Sequence, residues 1–162
     1  MRNSILFLIS FLLSLVTFSQ NSNQLLGTWQ LEKISYKKMS ATNDGDREQL
    51  RTVFNAALYN QLDAEQKLDV YELDQLNAQA EDLLKLFYQS TLEFQANGAF
   101  YNLSKMEKAT SGEYLLDGKK LFLEWETAYK YTYKILKINA SELVLKDVDL
   151  KVILYYTKTN NN

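Results

Sequence analysis

From Thr91 onward this chain has a period of two. Leu92, Phe94 and Ala96 alternate with Glu93 and Gln95, and further strand-like runs follow at 99–104, 112–116, 120–126, 129–138, 142–146 and 148–158. Asn97-Gly98 and Asp117-Gly118 join neighbouring runs, and Asn139-Ala140-Ser141 turns another. Period two puts alternate side chains on opposite faces of a sheet, and Asn-Gly or Asp-Gly supplies the positive φ of a tight hairpin. The chain has no Pro, so its turns rest on Gly, Asn and Asp. Seven consecutive strands are expected here. In the last, Val148, Leu150, Val152, Leu154 and Tyr156 share one face.

An eighth strand precedes them at 26–38. There Trp29 and Leu31 alternate with Gln30 and Glu32, and Ile34 and Tyr36 extend the β-favouring composition. Residues 39–47 read as a polar loop. The period then becomes helical, with Leu50, Val53, Phe54, Ala57 and Leu58 on one face behind Asp44 and Asp46. Asp63-Ala64-Glu65-Gln66 has the form of a capping box, with Asp63 as cap and Gln66 reaching back. A helix from there to about Gln89 carries Leu73, Leu76, Ala80, Leu83 and Phe87 as its stripe. A helical hairpin jointed near 60–63 is thus expected between strands one and two, as an insert over about 47–89. The expected fold is mainly β: an eight-stranded antiparallel up-and-down barrel, because closure removes exposed strand edges. A twisted open sheet or half-barrel wrapped around the long helix is the alternative. Eight strands enclose a space that side chains fill or that holds one small ligand.

Residues 1–19 have the order of a secretory signal peptide: Arg2, an apolar segment over 5–18, then small Thr17 and Ser19 as the −3 and −1 positions. Cleavage before Gln20 is expected, because fourteen residues are short of the roughly 20 that span a bilayer. The remaining 20–162 are read as one domain, exported to the periplasm or beyond. Without Arg2 the charge is 17 Lys and Arg against 20 Asp and Glu. A mildly acidic chain with no basic run is a poor partner for nucleic acid. No second apolar segment approaches membrane-spanning length. There is no Cys, which excludes disulfides, thiolate metal sites and a lipidated N-terminal Cys.

The order of segments resembles the bacterial lipocalin-like secreted proteins. The residues that carry the likeness are Leu25-Leu26-Gly27-Thr28-Trp29, Leu92-Glu93-Phe94-Gln95-Ala96-Asn97-Gly98, the run from Gly112 through Asp117-Gly118 to Leu121, and the closing Leu154-Tyr155-Tyr156-Thr157-Lys158. The resemblance implies a lipocalin-like barrel closed at one end by Gly27, Trp29 and a basic partner. In many lipocalins that partner is an Arg stacked on the Trp. This chain has no Arg after Arg51, so Lys158 is the nearest substitute, without the planar guanidinium. The helix that commonly follows a lipocalin barrel has no counterpart here. The helices fall instead between strands one and two, a placement similar to the helical lid of intracellular fatty-acid-binding proteins, whose Arg anchors are absent from the strands.

With no His and no Cys, the usual general bases, thiol nucleophiles and zinc ligands are missing. Ser35 and Lys38 have Ser-x-x-Lys spacing but lie at the end of a strand rather than at a helix start. Glu124 and Glu126 share the face opposite Leu121, Leu123 and Trp125, so they read as solvated. Asp44-Gly45-Asp46 lacks the remaining ligands of a calcium loop. No metal, cofactor or catalysis is therefore expected. The tyrosines are the candidate lining of a cavity for an apolar or amphipathic molecule: Tyr101, Tyr114, Tyr129, Tyr131, Tyr133 and Tyr156. Their plainer reading is strand propensity. The insert, with Leu83 and Phe87 against the strands, is either a lid over the barrel mouth or a filler of the calyx. Two functions follow: a small-molecule binder, or a packed module whose helices meet a protein partner.

Overall fold

The computed structural model describes residues 23–127 and 129–159. The segment read as a signal peptide lies outside the described residues. Eight strands form a closed antiparallel barrel: β1 (Gly27–Tyr36), β3 (Thr91–Phe94), β4 (Ala99–Leu103), β5 (Thr110–Asp117), β6 (Lys120–Trp125), β7 (Lys130–Ile138), β8 (Glu142–Asp147) and β9 (Ile153–Lys158). Each of β3 to β9 pairs with its sequence neighbour, and β9 returns to β1 with Trp29 opposite Lys158. The helices α1 (Arg47–Tyr59) and α2 (Val70–Phe87) lie in the sequence between β1 and β3.

One strand departs from the sequence reading. Residues 39–42, expected as loop, form a short strand, β2 (Met39–Thr42), hairpinned to β1. Lys37 turns this hairpin at a φ of 52°. Strand β1 is consequently forked: Gly27–Gln30 pair with β3, and Lys33–Tyr36 pair with β2. Asn43 sits in the fork, 1% exposed. Its Nδ2 donates to the Leu31 carbonyl at 2.9 Å, and its Oδ1 accepts from the Gln89 amide at 2.9 Å. The side chain thus supplies the pairing that the diverging strands leave open.

Two element boundaries are also corrected. The capping box forms as expected, with Asp63 N donating to Gln66 Oε1 at 3.0 Å and Gln66 N to Asp63 Oδ1 at 2.9 Å. It opens only a single 3-10 turn, Gln66–Leu68, because Asp69 then caps a new helix through the amides of Tyr71 and Glu72. The joint between the helices therefore spans 60–69 rather than 60–63. At the other end of the chain, β9 starts at Ile153 instead of Val148. Asp147 accepts from the amides of Asp149 (2.8 Å) and Leu150 (2.7 Å), and Lys151 takes a φ of 63°. A carboxylate that bonds its own backbone two and three residues on makes a turn, which cuts short the apolar alternation.

The α1 stripe is buried as its spacing requires; in α2 Leu76, Ala80, Leu83 and Phe87 are buried and Leu84 joins them, while Leu73 is only half-buried. Phe54 of α1 meets Phe87 of α2 with ring centroids 5.8 Å apart. Each such side chain contributes about 1.5–3 kcal/mol by leaving water, which the weak propensity of a short helix cannot. The insert is tied to the barrel end where β4 leads into β5. Asn102 Nδ2 donates to the Leu86 carbonyl at 3.0 Å, the Ser104 hydroxyl to the Tyr88 carbonyl at 3.1 Å, and Gln61 Nε2 to the Asp149 carbonyl at 3.1 Å.

Candidate functional site

The barrel interior is filled. Trp29, Phe94, Phe100, Leu121, Leu143, Leu145, Leu154 and Tyr156 are all buried. A run of aromatic contacts climbs through it: Tyr114 edge-on to Phe94 (5.1 Å), Phe94 to Phe100 (6.4 Å), Phe100 edge-on to Trp125 (4.9 Å), Trp125 to Tyr131 (6.3 Å), and Tyr131 stacked on Tyr133 (6.3 Å). Such offset and edge-to-face pairs leave little free volume between rings.

At its lower end the barrel is sealed. Trp29 is fully buried, and its Nε1 donates to the Leu25 carbonyl at 2.7 Å. The Lys158 ammonium stands 4.9 Å from the Trp29 ring centroid and donates to the Gln24 carbonyl at 3.4 Å. Lys158 therefore takes the position that the resemblance gives to an Arg, as a point charge over the ring instead of a stacked plane. Gly27 lets it pass, since a Cβ there would lie 3.0 Å from Lys158 Cε.

The open space is at the upper end, between the insert and the rim. It is a cleft of about 650 Å³. Leu58 and Gln61 come from α1 and the turn after it, and Gln79, Asp82, Leu83, Lys85 and Leu86 from α2. Glu107 comes from the β4–β5 link and Thr110 from the start of β5, Trp125 from β6, Thr127 and Tyr129 from the β6–β7 turn, Tyr131 from β7, and Leu150 from the turn that Asp147 shapes. Lys85 and Asp82 pair at 2.8 Å, one helical turn apart. Burial first, then the charge of Asp147, pushes the Tyr131 phenol up to about 12, so it stays protonated at neutral pH. Two buried polar atoms on lining residues have no hydrogen-bond partner: Trp125 Nε1 and Thr110 Oγ1.

The candidate tyrosines do not converge. Tyr129 and Tyr131 line the cleft. Tyr133 and Tyr156 are 2% exposed and belong to the filled interior, where burial raises both phenols well above their usual range. Tyr114 lies near the opposite end, donating to the Gln95 carbonyl at 2.9 Å beside the β3–β4 hairpin. Tyr101 is on the outer face, because Phe100 and Asn102 take the inward positions of β4. Leu83 is a wall of the cleft, whereas Phe87 is spent on Phe54. Sequence reasoning passed over Trp125 as a site residue, although its alternation with Leu121 and Leu123 already turned it inward. Leu86 and Leu150 gave less signal, one lying off the helical stripe and the other in a turn that read as strand.

The remaining candidates are solvated. Glu124 pairs with Lys130 at 2.9 Å, and Glu126 accepts from the Ser111 hydroxyl at 2.6 Å. Asp46 caps α1 through the Glu48 amide. No cluster of three or more metal-ligating side chains occurs among the described residues.

Residues 25–145 match the lipocalin-like domain family. The chain belongs to that family. Among solved structures, a lipocalin-like protein from Bacteroides uniformis is 16% identical, with 84% of this chain and 99% of that chain covered and a TM-score of 0.47. An uncharacterized protein from Bacteroides eggerthii is 11% identical, with 83% and 99% covered and a TM-score of 0.47. No curated protein matches the chain significantly. The family assignment agrees with the expected barrel and with a fold suited to holding a small ligand. No helix among the described residues is long and apolar enough to cross a membrane, which says nothing of strands.

Proposed function

We propose that this protein is an exported, non-catalytic lipocalin-like barrel that binds a small amphipathic molecule in the cleft between its helical insert and its upper rim. The cleft carries this reading. Its volume of about 650 Å³ falls in the range of small-molecule sites, roughly 300–1,000 Å³. Leucines from the helices face aromatic rings across it. In this reading the site is Trp125, Tyr129, Tyr131, Leu83, Leu86 and Leu150, and the barrel below is a rigid pedestal. Native mass spectrometry of the protein isolated from its source tests it. A retained molecule of a few hundred daltons is expected. Ligand-free protein whose Trp fluorescence no amphiphile alters overturns the reading.

A second reading has its own observation. Leu68, Val70 and Tyr71 are 86%, 73% and 68% exposed beside one another at the tip of the helical hairpin. Neighbouring exposed apolar side chains suit a protein contact. Photo-crosslinking from position 70 in the source cells tests it, with one specific adduct expected and no adduct counting against it.

A further inference from the structure

We propose that the ligand of this cleft is a cationic amphiphile, its amine or quaternary ammonium head seated on Trp125, Tyr129 and Tyr131 near Glu107 and Asp82, its chain along Leu83 and Leu86. This rests on the cleft being the binding site. Three observations carry it, and they concern charge complementarity rather than shape alone.

The first is the balance of charge. The lining holds two carboxylates, Asp82 and Glu107, against one ammonium, Lys85. Lys85 is already engaged by Asp82 at 2.8 Å, and Glu107 makes no ion pair among the described residues. An incoming anion would find no free cation and would face Glu107.

The second is the surrounding field. Asp82 first, with Glu81 and Glu107 adding, raises Lys85 above its ordinary value. After burial, the charges of Asp147 and Asp82 also act to keep the Tyr131 proton in place. The Asp82–Lys85 pair is neutral in sum, so Glu107 is the excess charge of the lining and favours positive charge beside it.

The third is the floor. Three electron-rich rings lie together where β6 turns into β7, with Trp125 edge-on to Tyr131 at 6.3 Å and Tyr129 67% exposed at the margin. Aromatic faces attract alkylammonium groups, and more so where water is displaced. The ring faces offer a carboxylate head no such attraction.

The experiment uses the full chain and three twelve-carbon probes below their micellar concentrations: dodecyltrimethylammonium, dodecyl maltoside and dodecanoate. Trp125 fluorescence and calorimetry read binding, and Trp29 is a silent partner because it is sealed at the far end. Dodecyltrimethylammonium is expected to bind about tenfold more tightly than the maltoside, with dodecanoate weakest. Added salt is expected to reduce the cation's advantage, and Glu107→Gln to remove most of it by weakening the cation far more than the maltoside. Glu107 is exposed, so the variant keeps its fold. Equal affinity for the cation and the maltoside, preference for dodecanoate, or an unchanged preference in both E107Q and Asp82→Asn overturns this inference and leaves the cleft as a site for neutral or anionic amphiphiles. Failure of all three probes to bind strikes at the cleft reading itself.

Discussion

Two residues decide how the ends of this barrel behave. Trp29 seals the lower end, and its truncation removes a fully buried ring together with the hydrogen bond to Leu25. Trp29→Ala is expected to cost about 3–5 kcal/mol in denaturant melts, and a loss under about 1 kcal/mol would show that the seal is dispensable. Asp147 shapes the upper rim. Burial raises its carboxyl above the ordinary value, while the amides of Leu150 and Asp149 partly hold it down. A folded-state pKa above the unfolded one means that the native protein binds the extra proton. Stability from this group is therefore full below the unfolded value and lost as pH rises through the folded value. Asp147→Asn keeps an acceptor for both amides without the charge. It is expected to flatten the pH dependence of stability just above the usual carboxylate range, and Asp147→Ala to lose about 1–3 kcal/mol by orphaning the two amides. Melts of the three proteins from pH 4 to 7 check this. A D147N slope equal to that of the parent refutes it.

At the scale of elements, the insert is neither a loose flap nor simply a plug. Leu50, Phe54, Ala80 and Leu84 have no exposed surface, whereas the joint at 60–69 is largely open. Hydrogen exchange is expected to show strand-like protection in the buried halves of α1 and α2 and fast exchange across the joint. Adding a bound amphiphile should slow the second half of α2, where Leu83 and Leu86 face the cleft. Uniformly fast exchange over 47–87 would make the insert a mobile lid instead. These elements were legible to different degrees. The two stripes and the hairpin signals placed both helices and all seven later strands, because apolar period and turn chemistry act locally. Strand β2 was hidden since Met39-Ser40-Ala41-Thr42 is too short and polar to show a pattern. Its pairing depends on β1, which no local signal reports. The site was hidden for the same reason. It takes one wall from a helix, one from a strand end and one from the Asp147 turn, and only the closed barrel brings them together.

For the molecule as a whole, the aromatic run from Tyr114 to Tyr133 links the sealed end to the cleft through continuous packing. Trp125 belongs to that run beside the cleft, Trp29 stands outside it at the sealed end, and the chain has no other Trp. Trp29→Phe and Trp125→Phe variants thus give one reporter each. Coincident urea transitions are expected, as for a single cooperative unit, and an earlier transition at Trp125 would show that the rim and insert melt apart from the barrel. The pairing of β1 with β9 has a consequence in time. These strands lie at opposite ends of the folded chain, so the contact that closes the barrel spans most of its length. Loop closure over such a distance is slow. A polypeptide leaving the ribosome or crossing a membrane has β1 early and must wait for β9, and during that wait both strands that β9 will join present bare edges. The forked hairpin with β2 lies on the opposite side of β1, the side shared with β3, so it leaves the waiting edge uncovered. That edge of β1 stays open to wrong partners until the last residues arrive.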